Sequence, residues 1–161
     1  MKKGILFKKI FFITLILFLS TAKSYCQNQI DFNRDVKNYN KNLYIYDKNQ
    51  LIAKFKIIIA DTDEKRQYGL MNVEKLDQNH GMLFIFNKPQ IVNMWMKNTL
   101  IPLDMVFIKN GKIVNIKTNA KPHDLSHINS EYRVDRILEI NAGLVKKFKI
   151  KIGQNINYAD F

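Results

Sequence analysis

Cysteine is nearly missing from the chain. Cys26 is the only one, so the sequence offers no disulfide, no Cys-x-x-Cys redox pair and no thiolate cluster for zinc. Glycine is sparse as well. Its six residues stand isolated along the chain, which excludes a glycine-rich loop that cradles phosphates. Neither a Gly-x-Ser-x-Gly elbow nor an acidic calcium loop occurs. Nucleotide-dependent catalysis is therefore not expected. Long apolar runs are lacking too: the longest, residues 10–19, is broken by Thr14 and is half the roughly 20 residues that a membrane-spanning helix needs.

That short run fits export. Lys2, Lys3, Lys8 and Lys9 precede it, and the small or polar Ser20, Thr21, Ala22 and Ser24 follow. This is the layout of a secretory signal peptide over residues 1–26. Cleavage after Cys26 would leave Gln27 first and a mature chain without a thiol or a transmembrane span. Lipidation at Cys26 is the minor alternative, because the bulky Tyr25 stands where a lipoprotein signal wants a small residue. The expected location is periplasmic or extracellular.

The net charge of +12 includes Lys2, Lys3, Lys8, Lys9 and Lys23 of the signal. Without those five and with no acid in the segment, the mature chain carries +7. Its lysines are scattered and no cluster is interleaved with exposed aromatics, so a nucleic-acid surface is not expected. Hydrophobic residues at 47% and aromatics at 12% are enough to bury a core. A chain of 161 residues fits one domain. Residues 27–42 are polar, Asn-rich and without period, and read as a flexible leader. The domain is expected over residues 43–161.

Asn110-Gly111 marks the clearest element, a hairpin of residues 104–109 and 112–117 around a type I′ turn, whose two central positions need positive φ. The two-residue turn is expected to fix the register, with Phe107 against Val114 and Met105 against Ile116 on one face, and Ile108 against Ile113 and Asp104 opposite Lys117 on the other. Further strands are expected at residues 52–60, 82–86, 91–96, 136–140 and 148–152. A short helix fits residues 63–68: Asp61 or Thr62 caps it, Asp63 and Glu64 suit its first turn, and Gly69 ends it. A second short helix fits residues 142–147. Many short strands with one or two short helices predict a mainly β domain, a small barrel or sandwich.

Three stretches carry a family likeness: Arg66-Gln67-Tyr68-Gly69-Leu70-Met71, Gly81-Met82-Leu83-Phe84-Ile85-Phe86, and the ten residues from Trp95 to Asp104 (WMKNTLIPLD). With Leu138-Glu139 and Asn141-Ala142-Gly143 they resemble the uncharacterised family called domain of unknown function 192, over about residues 51–158. The resemblance implies a compact, mostly β domain, often exported or membrane-attached, with no established activity. The chain departs from the pattern in three places. Met94 stands where an aromatic often precedes Trp95, Asn72-Val73 where an aromatic-Arg pair is common, and Gly153-Gln154 where Gly-Asp is frequent.

Candidate chemistry concentrates near those stretches. Trp95, with Lys97, Asn98, Thr99 and Asp104, suits either a stacking platform in a carbohydrate or peptide cleft or a core Trp beside a turn that uses Asn98 and Pro102 for backbone reasons. Arg66, Lys97, Asp104 and Glu139 are charges within apolar stretches. A buried Glu139 must find a cation or have its pKa raised, the second suiting a general acid. Asp104 and Glu139 would form an acid–base pair for glycan cleavage if they lay roughly 5–9.5 Å apart; the competing reading is a structural ion pair with Arg66 or Lys97, or Lys117 for Asp104. His123-Asp124-Leu125-Ser126-His127 has the spacing of a helical zinc site, but Pro122 and its polar surroundings favour a loop, and His80 sits in a turn-like setting. Met71, Met82, Met94, Met96 and Met105 are either Cu(I) thioethers or core filler. The leading expectation is a non-enzymatic binding or accessory domain of the cell envelope, without cofactor or metal, using Arg66, Trp95, Lys97, Asn98, Thr99, Asp104 and Glu139 toward an envelope glycan or protein. The alternatives are a polysaccharide hydrolase or lyase through Asp104 and Glu139, and a Cu(I) carrier.

Overall fold

The computed structural model describes Tyr39 and residues 41–158. The expected signal peptide, and the leader up to residue 38, lie outside the described residues. What is described forms a single mainly β domain. Its strands are β1 (Lys41–Asp47), β2 (Gln50–Ala60), β3 (His80–Gln90), β4 (Asn93–Met94), β5 (Leu103–Lys109), β6 (Lys112–Ala120), β7 (Ile128–Asn129), β8 (Val134–Asn141) and β9 (Asn155–Tyr158). Helix α1 spans Asp63–Tyr68 and α2 spans Leu144–Phe148. Seven strands close a barrel in the order β1-β2-β3-β8-β5-β6-β9, with β9 returning to β1, while β4 and β7 make a separate two-stranded ladder.

Period-2 alternation explains the interior. Leu43 and Ile45, Ala53, Phe55 and Ile57, Leu83, Val106, Ile108, Leu138 and Ile140 all point into one buried cluster, as alternate residues of a strand must. Phe55 meets Phe148 edge-on at 5.8 Å between ring centroids, an arrangement that the ring quadrupoles favour. Leu144 and Val145 bring α2 into the same cluster.

β2 and β3 are the only parallel neighbours in the barrel. Parallel strands need a crossover, and α1 with residues 69–79 supplies it. Thr62 Oγ1 accepts the Lys65 N–H at 3.3 Å, and Gly69, at φ +54°, ends the helix. That positive φ is one a side chain rarely adopts. α1 therefore stands as the sequence predicted.

Asn110 (φ +49°) and Gly111 (φ +74°) make the expected tight turn, and Ile108 pairs with Ile113. Beyond that pair the expected register is corrected: Phe107 faces Asn115, Val106 faces Ile116 and Met105 faces Lys117. A bulge at Val114 is the cause. It lets Ile113 and Ile116, three residues apart, both join the interior cluster, which strict alternation forbids. A second irregularity follows between the Met105–Lys117 and Leu103–Ala120 pairs, so Asp104 has no partner on Lys117.

Three other expected elements also change. The strand at 91–96 shrinks to Asn93–Met94. Residues 148–152 are not a strand: α2 runs to Phe148, Lys149 turns left-handed at φ +55°, and the closing strand comes later, as β9. The helix expected at 142–147 starts two residues later, after Gly143.

Candidate functional site

The outer face of the β3-β8-β5 wall is buried although it lies outside the barrel. Register places Met82, Glu139 and Met105 in one row across the three strands, and Phe84, Ile137 and Phe107 in the next. All six are at most 4% exposed, so a second layer must cover them. The buried Leu70 and Leu76 come from the crossover, and the buried Met94 and Met96 from residues 91–102.

Residues 91–102 and 121–133 form a flap tied by main-chain bonds. Met94 pairs with Ile128 across the β4–β7 ladder. Outside it the Met96 N–H donates to Asp124 O at 2.9 Å, the His123 N–H to Thr99 O at 3.2 Å and the Ser130 N–H to Val92 O at 2.9 Å. The Asn72 N–H donates to Asn98 O at 2.8 Å and links crossover to flap. Asn98 itself turns left-handed at φ +53° and is exposed. It serves the backbone, as Asn commonly does in turns.

Between crossover, flap and wall lies a cavity of about 200 Å³. Arg66, Tyr68, Leu70, Met71, Phe84, Phe86, Met94, Trp95, Lys97, Thr99 and Glu139 line it. The structure thus brings Arg66, Trp95, Lys97, Thr99 and Glu139 from the sequence-derived set to one place, and leaves Asn98 and Asp104 off its wall.

Glu139 forms part of the cavity floor. It is 4% exposed, and among the described residues no cation or hydrogen-bond donor is seen at its carboxyl. Burial alone pushes its pKa up to about 8, because taking an ion out of water penalises the charged form. At neutral pH the group is therefore mainly a neutral acid. The two expected cationic partners are engaged elsewhere. Arg66 donates from one guanidinium nitrogen to Ile85 O at 2.7 Å and from another to the Asp63 carboxylate, and it lies 5.4 Å from the centre of the Phe86 ring. Lys97 Nζ sits 5.5 Å from the centre of the Trp95 ring, a cation–π contact at the rim. Trp95 is 39% exposed, so its expected alternative as a core residue does not hold. Thr99 is buried, and its hydroxyl donates to Lys97 O at 3.4 Å.

Asp104 belongs to a different place. It pairs with Ile140, whereas Glu139 pairs with Met105, so the two carboxyls leave opposite faces of the same wall. The expected acid–base pair does not converge. Asp104 instead accepts two main-chain N–H groups, Asn119 at 2.9 Å on Oδ1 and Val145 at 3.0 Å on Oδ2. The first is at the second irregularity of β6. The second is in the first turn of α2, whose N-cap, Gly143, has no side chain to cap with. A carboxylate there complements the helix end.

The remaining candidates separate as well. His123, Asp124 and His127 are exposed on a loop, where Asp124 accepts the Ser126 N–H at 2.9 Å. No group of three potential metal ligands among His, Cys, Asp and Glu forms among the described residues. Met82, Met96 and Met105 are packing residues at most 2% exposed, and only Met71 and Met94 reach the cavity. Sequence reasoning missed Tyr68, Leu70, Phe84 and Phe86 as cavity residues, although the first two stand in the same motif as Arg66. No helix among the described residues is long and apolar enough to cross a membrane.

The sequence profile of a family described as uncharacterized ACR, domain of unknown function 192, matches residues 44–158. Two solved structures are similar. A protein of unknown function from Novosphingobium aromaticivorans DSM 12444 is 31% identical, with a TM-score of 0.69, covering 72% of this chain and 83% of its own. A candidate transcription regulator from Sinorhizobium meliloti 1021 is 35% identical, with a TM-score of 0.71, covering 73% of this chain and 92% of its own. No curated protein matches the chain.

Proposed function

This chain belongs to the family of domain of unknown function 192, and we propose a function from its cavity: a non-enzymatic binding domain of the cell envelope. The observation that carries this reading is Glu139, a carboxyl 4% exposed on the floor of a cavity, with no cation or hydrogen-bond donor beside it among the described residues. Such a group works against the fold, since burial penalises its charged form. Residues kept at the expense of stability are characteristic of functional sites. Around it stand two cations, an accessible indole and an apolar wall, the combination of a small-molecule site.

A binding role is favoured over glycan hydrolysis because a second carboxylate is lacking among the described lining residues. Asp104 faces the other way, and Glu139 is the only carboxylic acid among the described residues that line the cavity. The regulator description of the Sinorhizobium meliloti relative is not carried over. The two helices of the described residues have six and five residues, and neither suits reading a DNA groove. Location in the envelope rests on the export signal read from residues 1–26, and an envelope glycan or protein would supply the ligand.

The test has two parts. Mass spectrometry of the protein from the periplasm or medium of its host should give a chain that begins at Gln27; a full-length chain retained in the cytoplasm removes the envelope from the proposal. The mature chain should also release no product from envelope polymers. Turnover that disappears in Glu139→Gln would replace the binding role with an enzymatic one.

A further inference from the structure

The cavity has one neutral acid at its floor and positive charge at its side, and that asymmetry selects a ligand. Among the described residues, positive charge reaches it from two directions. Arg66 comes from α1 and Lys97 from the flap, with the Tyr68 phenol as a third titratable group. β3 and β5 present Met82, Phe84, Met105 and Phe107 on the same face as Glu139. Asp104 lies behind the wall, and His123, Asp124 and His127 on the neighbouring flap segment are exposed and off the cavity wall.

We propose that the cavity binds a small organic acid, or the carboxylate end group of a larger molecule, by holding one proton between that carboxylate and Glu139 with Arg66 and Lys97 beside the anion. This rests on the binding function argued above and names the chemical class of its ligand. A neutral carboxyl has an O–H to donate, which a carboxylate accepts as a short, charge-assisted bond. Arg66 has donated to two acceptors out of five possible N–H groups, and Lys97 makes no hydrogen bond or ion pair among the described residues. An amine would add a third positive charge to this wall and would need Glu139 ionised where burial opposes it.

Size sets the rest of the ligand. A volume of about 200 Å³ falls below the roughly 300–1,000 Å³ of sites for drug-sized molecules. It suits a compact acid whose body lies on Leu70, Phe84, Met94 and the Trp95 ring. No covalent bond changes in this step. Between about pH 5 and 8 the ligand arrives as an anion, Glu139 already carries the proton, and binding takes up none. Above about pH 8, where Glu139 loses its proton, binding must draw one proton from solvent, so affinity falls tenfold for each further pH unit.

Trp95 is the only tryptophan and reports binding directly. Fluorescence titrations of the mature chain would compare benzoate, benzamide and benzylamine at pH 6, 7.5 and 9. Benzoate should bind at least tenfold more tightly than benzamide, benzylamine should give no response, and benzoate affinity should fall about tenfold between pH 7.5 and 9. Glu139→Gln, whose amide still donates, should keep benzoate binding and lose that fall. Lys97→Met, a change at an exposed residue, should weaken benzoate about tenfold at each pH. Benzylamine binding that grows with pH would overturn the acid and leave the cavity standing as a binding site. Equal affinity for benzoate and benzamide would likewise overturn the anion but not the site. No response to any probe at millimolar concentration, unchanged by Glu139→Gln, would remove both.

Discussion

Replacing Glu139 by glutamine should stabilise the domain, by an amount that depends on pH. The unfolded chain releases the Glu139 proton near the ordinary value of 4.5, while burial holds it in the folded state up to about 8. Between those values the folded protein binds more protons than the unfolded one. Stability therefore falls as pH rises through that window and levels off above it. At about 1.4 kcal/mol per pH unit, the full gap is worth about 5 kcal/mol above pH 8 and about 3 kcal/mol at pH 7. Glutamine has no charge to bury and forfeits no hydrogen bond to the described residues. Urea unfolding followed by Trp95 fluorescence at pH 5, 7 and 9 reads the difference. The variants should nearly coincide at pH 5, with glutamine ahead by about 3 kcal/mol at pH 7 and about 5 kcal/mol at pH 9. Parallel stability–pH curves would refute the reasoning. So would a glutamine variant weaker by about 3 kcal/mol, the signature of a broken buried ion pair.

Asp104 should respond in the opposite sense. Asp104→Asn leaves one carbonyl for two N–H donors and sets an amide N–H against the other, so urea unfolding at pH 7 should show a loss of about 2–3 kcal/mol. Gly81→Ala would bring a Cβ to 2.7 Å from the Glu139 carbonyl oxygen, backbone that cannot step aside. A loss of about 2–3 kcal/mol is expected from the same measurement. Phe55→Ala, at a site with 0% exposure in the barrel interior, should cost about 3–5 kcal/mol, with the thermal midpoint as an independent check.

The elements that the sequence disclosed are those decided locally. Thr62 and Gly69 bound α1, and Asn110-Gly111 dictates its own turn, because each acts on backbone within a few residues. The bulge at Val114 was hidden. It exists to put Ile113 and Ile116 into a common core, a benefit that only the closed barrel confers. β9 was hidden for the same reason: Asn155–Tyr158 is only four residues and half asparagine, a residue depleted in strands, while residues 148–152 look more like a strand and form none. For the site, the stretches around Arg66, Trp95 and Glu139 drew notice as charge or aromatic bulk within apolar runs, and they do line one cavity. Asp104 has the same sequence character as Glu139. What separates them is the face each takes, set by pairing with Ile140 or with Met105, and a one-residue parity between distant strands is not written locally.

Closure of the barrel through β1 and β9 governs how the chain can fold. Leu43 pairs with Tyr158, so the ring is sealed by a contact spanning nearly the whole domain, the kind whose loop entropy makes folding slow. Until β9 docks, β1 and β6 each present an unpaired edge able to recruit another chain. The turn that delivers β9 is small: Gly153 at φ +94°, and Gln154, whose side chain accepts the Lys151 N–H and donates to Asp47 and Lys149 O. Damage at those two residues would prolong the open-edged intermediate, and its first symptom would be aggregation during biogenesis, ahead of any change at the cavity.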